Sequence, residues 1–142
     1  MTARLVRQLT NRTALVLVVE DDPRLAKLIA RFLEHAGYET AQAADGLEAV
    51  DRAHIQQPDL IVMDLMLPLL TGGEAAQRIK ADPDTAHIPI VAISGVADAE
   101  GLAEVLPIDG VLVKPFDLED LRTIAAELLN TASAPGYLSQ AG

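Results

Sequence analysis

Cysteine is absent from this chain. Disulfides, zinc–thiolate sites and cysteine nucleophiles are thereby excluded. Tryptophan is absent too, and there are only two Tyr and two Phe. That removes the aromatic platforms on which single-stranded nucleic acids stack. Basic residues are scarce, 11 Lys and Arg against 21 Asp and Glu, for a net charge of −10. Such a balance does not neutralise phosphates, so direct nucleic-acid binding is not expected. It favours a metal cation or a basic partner. Long apolar runs are missing as well. Near the N-terminus the longest is Ala14 to Val19, far short of the roughly 20 residues a bilayer span needs. The stretch 1–13 carries Arg4, Arg7 and Arg12, no acid, and no contiguous apolar region of the kind a secretory signal requires. It is expected to be a basic N-terminal arm, with no membrane partner and a cytoplasmic location.

What is present suffices for one domain. The chain has 142 residues, half of them apolar, enough for a single core without covalent staples. Five apolar, β-branched runs recur: Ala14–Val19, Tyr38–Ala43, Leu60–Met63, Ile88–Ile93 and Val111–Val113. Helical periodicity lies between them. Leu25, Leu28, Ile29, Phe32, Leu33 and Ala36 mark a first helix, with Asp22 as N-cap, Pro23 in the first turn and Gly37 at the exit. Asp45 with Glu48, and Thr71 with Glu74, read as capping boxes for the second and third helices. Pro83 stops the third. A fourth must fit between Ala97 and Leu106, contains Gly101 and is closed by Pro107, so it is expected to be short. Asp117 caps a last helix marked by Leu118, Leu121, Ile124, Ala125, Leu128 and Leu129.

Strand–helix alternation repeated five times predicts an α/β fold, a parallel sheet with helices on both faces. The second strand alternates in polarity, as an edge strand should; the others are solidly apolar. Right-handed crossovers then point to a flavodoxin-like (βα)5 doubly wound sheet of order 2-1-3-4-5. The domain is placed at 14–130, and 131–142, rich in Ala, Ser, Gly and Pro, is expected to be a flexible C-terminal tail.

In such sheets, ligands bind at the carboxyl ends of the strands beside the switch in strand order, here between the first and third. The strand ends read Glu20-Asp21-Asp22, Asp64, Ser94-Gly95 and Lys114-Pro115. Three carboxylates converging in a partly dry crevice raise one another's pKa. A hard divalent cation relieves that repulsion, and an oxygen-only set selects Mg²⁺ or a similar ion. Asp64 is a candidate nucleophile, since aspartyl-phosphate formation is a known use of a carboxylate. Lys114 supplies a cation, Ser94 a hydroxyl, and Gly95 leaves room for a donor. Singly, each has a structural explanation: Asp22 as a cap, Ser94 as a turn former, Lys114 as a solvated lysine. Jointly, four strand ends point to one chemistry. His35, His54 and His87 do not converge and are read as structural; Met63 and Met66 are read as core and loop filling.

The residues that carry this chemistry resemble the receiver domain of two-component response regulators, over about Ala14 to Asn130. The resemblance rests on Val-Val-Glu-Asp-Asp-Pro (18–23), Pro-Asp-Leu-Ile-Val-Met-Asp-Leu-Met-Leu-Pro (58–68), Thr-Gly-Gly (71–73), Ile-Pro-Ile-Val-Ala-Ile-Ser-Gly (88–95) and Val-Lys-Pro-Phe (113–116). It implies that Asp64 is the phosphoacceptor. Asp21, Asp64 and the backbone carbonyl of Met66 would ligate Mg²⁺, with Glu20 acting mainly through water. It further implies that Ser94 is the switch hydroxyl, that Lys114 contacts the phosphoryl group, and that a cis bond before Pro115 aims Lys114 inward. Pro68 and Gly72 match the loop after the phosphorylation site. The donor implied is a phosphohistidine on a histidine kinase or phosphotransfer protein; the target would be a downstream protein or a second copy of the chain. Two departures stand out. Val111 occupies the position where the family usually carries Tyr or Phe, and the stretch from Ser94 to Lys114 is slightly short.

Three readings follow. The first is a stand-alone receiver that is phosphorylated at Asp64 and signals by protein contacts or phosphorelay, catalysing only its own phosphorylation and dephosphorylation. The second is a Mg²⁺-dependent aspartyl phosphatase, which Met66 argues against, because such enzymes commonly carry a second Asp there. The third is a phosphorylation-independent binding module, favoured by Val111. An FMN binder fits poorly, since Glu20-Asp21-Asp22 would repel a phosphate.

Overall fold

The computed structural model describes residues 13–95 and 99–133. The N-terminal arm, but for Thr13, and the tail beyond residue 133 lie outside the described residues. In chain order the elements are Leu15–Val19 (β1), Pro23–His35 (α1), Glu39–Ala43 (β2), Gly46–Gln56 (α2), Leu60–Asp64 (β3), Gly72–Ala81 (α3), Ile90–Ser94 (β4), Ala99–Val105 (α4), Gly110–Val113 (β5) and Leu118–Ser133 (α5). The sheet order is β2-β1-β3-β4-β5, every pair parallel. This is the flavodoxin-like arrangement, with the alternating strand β2 at an edge.

Because side chains of a strand alternate between faces, each central strand feeds two cores. Val16 and Val18 of β1 pack with Ile29 and Leu33 of α1 and Leu121 and Ala125 of α5. Leu17 and Val19 pack on the other face with Ala49 and Ala53 of α2 and Ala75 and Ile79 of α3. β3 and β4 are buried along their whole length, as strands covered on both faces must be.

Local chemistry sets the element ends. Asp22 accepts a hydrogen bond from Arg24 N, Pro23 opens α1, and Gly37 beyond its end takes φ +103°. Thr71 and Glu74 form both halves of a capping box on α3. The box expected on α2 is incomplete. Asp45 accepts from Glu48 N, but the Glu48 carboxylate takes the N–H of Ala44, not that of Asp45. With Asp45 extended at φ −154°, ψ 171°, the chain presents the preceding amide instead. Helix α4 is seven residues long, as Gly101 and Pro107 require.

Leu28 is about half exposed, and the buried stripe of α1 is Ala26, Ile29, Ala30 and Leu33. The helix meets the sheet along a narrower line than its leucines suggest, with alanines at the contact.

Candidate metal and phosphoryl site

Four strand ends meet at one rim of the sheet. Glu20 follows β1, and its amide donates to Ala43 O at 3.0 Å, tying the β1–α1 loop to the end of β2. The residue is 4% exposed. Glu20 Oε2 accepts from Asp22 N at 3.1 Å, whereas Oε1 is buried with no hydrogen-bond partner. Burial pushes the Glu20 carboxyl up to about 7; the Asp22 amide opposes this, and Asp64 and Asp21 add to it.

Asp64 closes β3 and is buried. Its Oδ1 accepts from Met66 N at 2.8 Å, and its Oδ2 accepts from Lys114 Nζ at 2.7 Å. Lys114 also lies 3.9 Å from Glu20 Oε1. The hydrogen bond to Asp64 is the main cause that raises the Lys114 ammonium above its ordinary range, against some loss from burial. Ser94 closes β4, is buried, and its carbonyl accepts from Lys114 N at 2.8 Å. The two residues are therefore held together by backbone. The Lys114–Pro115 bond is cis.

The loop after β3 is shaped by close approach. A Cβ on Gly72 would stand 2.3 Å from Asp64 O and 2.7 Å from Leu65 Cα, so only glycine lets α3 start this near the acid. Gly95 is different: an added Cβ meets nothing within 4 Å, which matches the expectation of room beside Ser94. Met66 does not fill the loop interior as expected; its side chain is largely exposed, while Met63 is in the core. Met66 and Leu69 are exposed between the buried Leu65, Leu67 and Leu70, and Leu69 adopts φ +66°.

Carboxylate oxygens of Glu20, Asp21 and Asp64 lie within 4.8 Å of one another. Two of the three acids are buried, one oxygen is orphaned, and the donors are all oxygen. A hard cation fits this set: it would satisfy Glu20 Oε1 and relieve the repulsion that elevates the Glu20 pKa. The structure thus brings Glu20, Asp21, Asp64, Ser94 and Lys114 to one place.

Two features were not visible in the sequence. A groove of about 580 Å³ beside Lys114 is lined by Leu25, Leu28, Gly95, Pro115, Phe116 and Leu118; it explains where the exposed Leu28 faces. His54, expected to be merely structural, stands with Asp82 and Asp84. Helix packing, not sequence spacing, joins them.

Comparison with known proteins agrees with this geometry. Residues 16–126 match the response regulator receiver domain. The DNA-binding dual master transcriptional regulator RpaA of Synechocystis is 36% identical over 80% of this chain and 48% of its own length. The polar-differentiation response regulator DivK of Brucella anthropi is 42% identical over 58% of this chain and 67% of its own. The chain therefore spans about half of the RpaA relative. Among solved structures, the receiver domain of sensor histidine kinase PA1611 from Pseudomonas aeruginosa, with a magnesium ion in its active-site cleft, superposes with TM-score 0.76. It is 31% identical and covers 83% of this chain and 98% of its own. The chemotaxis response regulator CheY4 of Vibrio cholerae gives TM-score 0.76 at 30% identity, over 82% and 98%. No described helix is long and apolar enough to cross a membrane. By sequence match and by fold, the chain belongs to the response regulator receiver domain family.

Proposed function

We propose that this chain is a cytoplasmic phosphoprotein that accepts a phosphoryl group on Asp64 from a phosphohistidine of a histidine kinase or phosphotransfer protein. It signals through protein–protein contacts or passes the group on in a phosphorelay. The observation that carries this reading is the environment of Asp64. The carboxylate is buried, oriented by Met66 N and Lys114 Nζ, and flanked by two further acids. Such a group is a poor partner for solvent and a well-held nucleophile.

Glu20, Asp21, Asp64 and the carbonyl of Met66 would hold Mg²⁺. When bound, the ion neutralises charge on the transferring group. An Asp64 oxygen attacks phosphorus as the phosphorus–nitrogen bond of the donor breaks, and the imidazole keeps the electron pair. Lys114, freed from its single carboxylate oxygen, takes a phosphoryl oxygen. Ser94 donates its hydroxyl to another, which draws the loop after β4 and couples it to α4.

A second reading, a binding module indifferent to phosphorylation, draws on Val111 and on the seven-residue α4. Mass measurement separates the two. The intact chain is incubated with Mg²⁺ and a small phosphodonor, beside Asp64→Asn. A gain of one phosphoryl group, lost in the variant and with chelator, supports the receiver. No gain with any donor, and no response to beryllofluoride, supports the inert module.

A further inference from the structure

The chain holds a second cluster of metal-ligating side chains, remote from Asp64. Helix α2 ends just before β3, and α3 ends just before β4, so both C-termini lie at the amino-end rim of the sheet. His54 is in the last turn of α2, and Asp82 is the C-cap of α3. We propose that His54, Asp82 and Asp84 form a site for a divalent transition ion such as Zn²⁺, linking α2 to the loop between α3 and β4.

Donor chemistry distinguishes this cluster from the acidic pocket. The pocket offers oxygen alone; here an imidazole joins two carboxylates, the mixture that suits zinc and its neighbours better than magnesium. Spacing agrees. The three ligand atoms lie within 4.8 Å of one another, and His54 Nδ1 is 3.6 Å from Asp82 Oδ2. That is too long for a hydrogen bond. It is close to the roughly 3.3–3.4 Å edge of a tetrahedron with ligands at about 2.0–2.1 Å from zinc. Modest side-chain rotation completes the set.

The backbone is already fixed for the purpose. Asp82 N donates to Arg78 O, and Asp82 O accepts from Thr85 N and Ala86 N. Two helix C-termini add their negative ends to the carboxylates, which favours a cation there. Lys80, in the last turn of α3, is committed elsewhere: its ammonium donates to Ala86 O, Ile88 O and Asp109.

The test is titration of the full chain with Zn²⁺, followed by the ring resonances of His54. It is run on the parent, on Asp64→Asn and on Asp84→Ala. The last keeps His54 as reporter, and Asp84 is exposed, so the fold is spared. Saturable shifts are expected in the parent and unchanged in Asp64→Asn. In Asp84→Ala the apparent affinity should fall roughly tenfold or more, since even outer-shell partners are worth 10–100-fold. Absence of saturation below roughly 1 mM, equal affinity in the parent and Asp84→Ala, or loss of the shifts in Asp64→Asn would each overturn the proposal.

Discussion

Lys114 Nζ sits 2.7 Å from Asp64 Oδ2, and Lys114 N donates to the carbonyl of Ser94 at 2.8 Å. One residue therefore binds the acid through its side chain and the end of β4 through its backbone. Lys114→Met should leave the strand pairing intact while removing the cation. Asp64 would then face Glu20 and Asp21 uncompensated. Loss of about 1–2 kcal/mol is expected in Mg²⁺-free buffer, below the roughly 3–5 of a fully buried pair, because Lys114 is over a third exposed. The same change should tighten Mg²⁺ binding several-fold, since a competing positive charge is gone. Paired urea and Mg²⁺ titrations check both signs; weaker Mg²⁺ binding in the variant would contradict the account.

Glu20 makes the metal-free fold sensitive to pH. Its pKa is raised by burial from the model-peptide value of 4.5 to about 7, so the folded chain holds a proton that the unfolded chain releases. The stabilisation linked to that proton is complete below about 4.5 and is lost as pH rises towards about 7. Its size is on the order of 3 kcal/mol. Glu20→Gln should flatten the slope, because the amide cannot ionise. Urea midpoints measured in chelator across this window test it; equal slopes in parent and variant would remove Glu20 as the cause. Mg²⁺ should reverse the trend, because a cation held there would favour the ionised carboxylate.

Glycine positions around the site divide sharply. Gly72→Ala places a Cβ 2.3 Å from a backbone oxygen of Asp64, where neither side can yield without moving the acid. A cost of roughly 2–4 kcal/mol is expected, together with weaker Mg²⁺ binding. Gly95→Ala meets open space and should stay within about 0.5 kcal/mol of the parent. Denaturant midpoints of the two variants, side by side, give the comparison.

What the sequence could disclose was what is local or periodic. The ends of α1 were legible because Asp22, Pro23 and Gly37 act on their own neighbours. The sheet order followed from five β-branched runs and the handedness of crossovers. The site followed because Glu20, Asp21, Asp64, Ser94 and Lys114 all end strands, and parallel strands end together. Leu28 keeps the helical period yet is half exposed, because periodicity counts apolar residues without knowing how wide the contact is. The Glu48 carboxylate chose Ala44 for reasons of backbone angle that no capping pattern states. His54 and Asp82 meet only because α2 packs on α3. Ile29, by contrast, is fully buried in α1. Ile29→Ala should cost roughly 2–5 kcal/mol, whereas Leu28→Ser should be nearly neutral; thermal unfolding of the pair tests the buried stripe.

Under the proposed function, Ser94→Ala should separate acceptance of a phosphoryl group from the response to it. The residue is buried at the end of β4, and its backbone is already engaged by Lys114 N, so Ser94→Ala keeps the strand in place. The carboxylates and Lys114 remain, and phosphorylation at Asp64 should proceed at close to the parental rate. What is lost is the hydroxyl contact that would pull the loop after β4 towards the modified acid. Val111 offers no aromatic ring that could report or replace that movement. Amide shifts in α4 on phosphorylation should therefore be large in the parent and blunted in the variant. Identical shifts in both would show that the signal leaves the site by another route, through Lys114 and β5.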